Sequence, residues 1–135
     1  MTKTNENSVD IKMSIRSSVR TRSYSILEKV QKICELLDIG FTIKSEAPAF
    51  EYKRESVLRD ISIELYKEMY QQEPQVIEIH AGVELGVFSS KIKDMDAILF
   101  GPDIYDYHSP AEKTSISSVK RVYEFLIKLL EKLAK

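Results

Sequence analysis

The chain has no tryptophan, one cysteine and only two histidines among its 135 residues. The single Cys34 has no partner for an internal disulfide, which fits a reducing compartment. There is no His-x-x-x-His spacing and no cysteine pair, so neighbouring residues cannot build a compact zinc motif. No apolar run approaches the roughly 18 residues that a membrane span needs. The opening stretch "MTKTNENSVD" is too polar for a secretory signal. An excess of one charge is also missing, since 20 basic and 21 acidic side chains leave a formal net charge of −1. That balance disfavours a phosphate-tracking surface, and with it nucleic acid as a partner. These absences describe a cytoplasmic chain with no membrane partner and the length of one small domain.

What is present is a change of hydrophobic period along the chain. Val9, Ile11, Met13 and Ile15 alternate with polar residues after a polar tail of eight residues, as in a half-buried strand. In "SYSILEKVQKICELLDIG", Ile26, Val30, Ile33 and Leu37 follow a helical period, and Gly40 is placed to stop the helix. "FTIKSE" reads as a second strand, so the first 46 residues read β-α-β. "APAFEYKRES" breaks the pattern and marks a boundary. A helix follows with Leu58, Ile61, Leu65 and Met69 on one face. "PQVIEIH" and "MDAILFG" read as strands on either side of the glycine-containing turn "AGVELG". After a loop over 101–114, "SSVKRVYEFLIKLLEKLAK" is a strongly amphipathic helix. The fold class is α/β, or α+β in pieces, with three helices and four strands. Two strands on each side of the boundary make each half look incomplete.

Several residues invite a functional reading, each with a plain alternative. His108 follows a Gly-Pro turn in "GPDIYDYHSPAEK", where loops present ligands. Asp103 and Asp106 are nearby oxygens, but three ligands within so short a loop would be unusual. A solvated loop histidine explains His108 equally well. Ser109-Pro110-Ala111-Glu112 fits a capping box with proline at the first helical position. Arg16 is an exposed strand arginine or a guanidinium that grips a carboxylate, with Ser14, Ser17 and Ser18 leaving room around it. Glu84 is a carboxylate at a helix N-terminus or part of a site flanked by Gly82 and Gly86. His80, at a strand end, reads as a packed or capped histidine and not as a ligand.

Four stretches together resemble one family. "MSIRSS", "APAFEY", "IHAGVELG" with "FSSKI", and "FGPDIYDYHSPAEKTSISSVKRVYEFL" are similar, in this order, to the C-terminal part of the bacterial aminoacyl-histidine dipeptidases. These are zinc exopeptidases related to carnosinase that hydrolyse Xaa-His dipeptides. The likeness runs from about residue 9 to the end, and the last stretch is the most specific. It implies a partial zinc-exopeptidase fold, with 9–46 as the end of a lid domain and 47–135 as the C-terminal half of the catalytic domain. It implies that His108 is the last metal ligand and that Arg16 grips the substrate's C-terminal carboxylate. Glu84 would lie near the substrate's amino end. The implied chemistry is hydrolysis assisted by two zinc or similar divalent ions, with a glutamate accepting the proton of the attacking water. Three positions depart from the family: Ala111 replaces an acidic residue, Leu85 a cysteine, and no tryptophan stands near Phe50.

The resemblance also implies that the other metal ligands and the catalytic glutamate belong to an N-terminal half outside this truncated stretch. No catalytic residue is then expected in this chain, and no tight zinc site. Its partners would be that half or further copies of itself. The alternatives are a peptide-binding or complementing subunit without catalysis, and a non-functional remnant.

Overall fold

The computed structural model describes residues 1–80 and 84–134, so Gly82 lies outside the described residues. The chain forms two compact units. One comprises residues 1–52 and 77–95, the other residues 53–76 and 96–135.

The first unit opens with an antiparallel hairpin of β1 (Thr2–Thr4) and β2 (Val9–Ile11), with Thr2 opposite Ile11. The amide of Asn5 donates to the Ser8 carbonyl at 2.8 Å and closes the turn. The strand expected through Ile15 therefore ends at Ile11, and part of the expected polar tail is its partner.

Helix α1 (Arg20–Leu36) follows. It does not stop at Gly40. Asp38 takes the left-handed conformation at φ 53°. The Ile39 amide reaches the Cys34 carbonyl at 2.8 Å, and the Asp38 amide reaches Glu35 at 3.3 Å. This double closure satisfies the last carbonyls with an aspartate where glycine is commoner.

Helix α2 (Val57–Tyr70) in the second unit is started by Ser56, whose hydroxyl accepts from the Arg59 amide at 3.1 Å. The same hydroxyl donates to Asp96 at 2.6 Å, and the other Asp96 oxygen accepts from the Leu58 amide at 2.9 Å. The Ser56 hydrogen bond, aided by the Leu58 amide, Lys53 and Arg59, holds the Asp96 carboxyl below its ordinary range against a smaller opposing effect of burial.

Helix α3 (Glu84–Lys91) belongs to the first unit and occupies what reads in sequence as a turn. In the second unit, β3 (Ile104–Tyr105) and β4 (Lys113–Thr114) pair antiparallel within the segment expected to be all loop. Helix α4 (Ile116–Leu133) is capped by Ser115, which accepts from the Ser118 amide. It packs on α2 through Leu65, Phe125 and Leu129, the buried apolar residues among those described. Each such side chain contributes about 1.5–3 kcal/mol by burial. Phe100 and Tyr66 meet the Phe125 ring edge-on, with centroids 5.2 and 6.2 Å away.

The segments 41–46, 74–80 and 95–101, each expected as a strand, carry no ladder. Alternation in a sequence sets which face a strand would bury, but a ladder also needs a neighbour to take its N–H and C=O groups. Val76, Ile77, Ile79 and Leu99 are correspondingly exposed. The accessible area is 11428 Å² for a 15.6 kDa chain. Two independent folded bodies of half that mass would expose about 8,700 Å² together. Among the described residues, no helix is long and apolar enough to cross a membrane.

Candidate substrate-binding site

Three of the four stretches singled out in the sequence come together in the first unit. The stretch around Arg16 enters α1, where three successive backbone amides need acceptors. The Ser18 amide donates to Nδ1 of His80 at 3.1 Å. The Val19 amide donates to the Ser17 hydroxyl at 3.0 Å. The Arg20 amide donates to the Glu51 carboxylate at 2.8 Å. Two of these acceptors lie 31 and 62 residues away in the chain. Further along α1, the Tyr24 hydroxyl donates to Glu46 at 2.6 Å, and this bond to a carboxylate raises the phenol's pKa above its usual value.

The third tie is steric. Gly86, in the first turns of α3, is buried against the 47–49 backbone. A Cβ at this position would lie 3.1 Å from the Pro48 carbonyl carbon and 3.3 Å from that of Ala49, and closer still to the Pro48 oxygen. The glycine thus allows one backbone to approach another, and the approaching group is protein. "MSIRSS", "APAFEY" and the end of "IHAGVELG" are thereby fastened to one another.

Arg16 is exposed at this junction, beyond the end of β2 and not on it. Its Nε lies 3.4 Å from the Ser14 hydroxyl, and its terminal nitrogens have no partner among the described residues. Glu84 is exposed at the first position of α3, with no partner among the described residues. His80, expected to be packed or capped at a strand end, is exposed in a segment without a ladder and accepts from the Ser18 amide through Nδ1. Ser18, read in sequence only as leaving room around Arg16, is 1% exposed and packed at His80, and Glu51 was not singled out from sequence. Their role depends on contacts between distant segments. The signal available was their place inside the family-like stretches.

His108 belongs to the second unit and is exposed. Its backbone is left-handed, with φ 62°. Its amide donates to the Glu112 carboxylate at 2.7 Å, and its ring meets Tyr107 edge-on at 5.6 Å. The Ser109 hydroxyl accepts from the Ala111 amide at 3.2 Å. These are the components of a capping box shifted by a residue, but no helix follows, because the chain enters β4 at Lys113. The box closes a hairpin loop and holds the backbone that carries the imidazole.

The two carboxylates near His108 are already occupied. Asp106 pairs with Lys113 at 3.2 Å, and Asp103 pairs with Arg121 at 3.2 Å. Among the described residues, no cluster of three or more His, Cys, Asp or Glu side chains could hold a metal ion. His108 fits a metal as one ligand of the roughly four that zinc takes, and the described residues do not supply the rest. A separate cleft of about 540 Å³ in the second unit is lined by Tyr66, Tyr70, Phe100, Asp103, Arg121 and Phe125, and by neither Arg16, Glu84 nor His108.

No protein-family model matches the sequence. The chain is 27% identical over 128 residues to the cytosol non-specific dipeptidase of Escherichia coli (strain K12), which covers 95% of this chain and 26% of that protein. In structure it is similar to the aminoacylhistidine dipeptidase of Vibrio alginolyticus, with a TM-score of 0.72 and 28% identity. That match covers 86% of this chain and 24% of the other. The resemblance carried by the four stretches is thus found over nearly the whole chain, and the mixed α/β architecture is that of a dipeptidase over most of its length. The chain spans about a quarter of the length of the dipeptidases it matches.

Proposed function

We propose that this chain is the C-terminal portion of a metal-dependent aminoacyl-histidine dipeptidase. In this reading residues 9–46 end the lid domain and residues 47–135 form the returning part of the catalytic domain. The observation that carries the proposal is the fastening together of three family-like stretches, one of which bears Arg16, through Ser18–His80, Arg20–Glu51 and the Gly86–Pro48 approach. A mere sequence likeness would not require these stretches to be fastened together.

Arg16 presents a planar guanidinium suited to a bidentate pair with a substrate carboxylate. Glu84 offers a carboxylate for a substrate's amino end. His108 supplies one ligand to a divalent metal, which when bound would polarise the scissile carbonyl. The described residues offer one such ligand and no general base at a metal, so in this reading the polypeptide alone binds and orients without turning over substrate. Catalysis in this reading needs the N-terminal portion of a dipeptidase, and the enzyme would work in the cytoplasm.

The test is complementation. The purified chain with added zinc gives no hydrolysis of a dipeptide ending in histidine. Mixing with a separately expressed N-terminal portion restores turnover. His108→Ala abolishes the restored activity, while Arg16→Ala mainly raises KM for substrates with a free C-terminal carboxylate. Turnover by the chain alone that survives His108→Ala refutes the assignment.

A further inference from the structure

We propose that His80 is a second anchor for the substrate's carboxylate, set in its donor form by the backbone of Ser18. This rests on the reading of Arg16 as the carboxylate grip. A backbone N–H can only donate, so the 3.1 Å bond from the Ser18 amide makes Nδ1 of His80 an acceptor. The Ser18 hydroxyl lies 3.1 Å from the same nitrogen and can only reinforce that role by donating. The ring proton is therefore on Nε2. The ring is exposed, and Nε2 has no partner among the described residues. An exposed N–H donor held in one tautomer is suited to an anionic oxygen.

The anion it would take is set by Arg16. Ser18 is two residues further along, so the two Cα atoms are at most about 7 Å apart whatever the backbone conformation. The long arginine side chain can swing to meet the clamped ring, and the guanidinium and Nε2–H can then share one carboxylate. Ser18 is a positioning residue here, since it acts through the imidazole. A ring free to adopt the other tautomer would present an acceptor and repel the same oxygen.

The chain's two histidines make the test direct. In the full chain labelled with ring-15N histidine, His108→Ala assigns the two ring systems. The expected result is a neutral His80 ring protonated at Nε2. Its Nε2 signal moves on adding acetate or a dipeptide ending in histidine, and not on adding the dipeptide's C-terminal amide. His80→Asn keeps an acceptor for Ser18 but removes the outward donor, and weakens the carboxylate response by about tenfold. His80→Gln, with an amide NH near the Nε2 position, recovers part of it. A ring protonated at Nδ1, or an Nε2 signal that ignores acetate and dipeptide alike, overturns the proposal, while complementation independently judges the dipeptidase reading. A carboxylate response in a chain that never supports turnover keeps the anchor and discards the peptidase.

Discussion

Replacing Gly86 by alanine tests the junction through the sign of its effect. Gly86 lies within α3 and does not have a positive φ. Helix propensity alone would make alanine stabilising by about 0.8–1 kcal/mol. Against that stands the new methyl, which would fall inside van der Waals contact of the Pro48 carbonyl and 3.1 Å from its carbon. The obstacle is backbone, so no side chain can rotate away, and the 47–49 segment must move by about an ångström. Overpacking of this kind costs about 1–3 kcal/mol, and a backbone obstacle places it at the upper end. The net loss is then about 2 kcal/mol, roughly a 30-fold fall in the folded-to-unfolded ratio. Urea unfolding followed by circular dichroism, with amide exchange in α1 as the local readout, measures it. Gly40→Ala is the control, because nothing lies within 4 Å of its would-be Cβ. It should be neutral or mildly stabilising. If Gly86→Ala stabilises the chain as Gly40→Ala does, the close approach that joins "APAFEY" to "HAGVELG" is wrong.

Equilibrium dialysis should find no stoichiometric zinc at submicromolar affinity in the isolated chain, since the described residues offer one imidazole and no ligand cluster; a tight, His108-dependent site refutes this. Asp96→Asn should cost about 1–2 kcal/mol at neutral pH by weakening its bonds from Ser56 and Leu58. Because the folded carboxyl titrates below 3.8, that difference is fully present above 3.8 and should vanish as pH falls through the depressed value; a gap that persists in acid would show that its cause is not the charge. The exposed apolar segments at 76–79 and 99–100 should drive the isolated chain to associate, as read by sedimentation. A clean monomer with one cooperative thermal transition counts against it.

The helices were the most legible part of the sequence. The stripe Leu58, Ile61, Leu65 and Met69 and the apolar face of α4 are local patterns, and a helix makes its own hydrogen bonds. The strands at 41–46, 74–80 and 95–101 were misread for the complementary reason, since their pattern requires a neighbour that the pattern itself cannot provide. Asp38 took the left-handed position expected of Gly40 because helix closure is set by the last carbonyls, and aspartate tolerates that conformation. Among the candidate residues, Arg16, Glu84 and His108 were picked out by residue type and family-like context. Glu51 was not, nor was the role of Ser18, because a glutamate becomes an acceptor for a helix-start amide, and a serine a donor to a distant imidazole, only once separated segments meet.

The ties on the Arg16 segment have a property that bears on how such a site could change. Three of the donors in them are main-chain amides, of Ser18, Val19 and Arg20. Main-chain amides persist through any substitution except proline. The side chain at position 16 can therefore be exchanged without loosening the attachment that presents it. If Arg16 grips a substrate's carboxylate as proposed, a new preference at that end could be acquired by a single replacement, with the scaffold underneath indifferent to the trade.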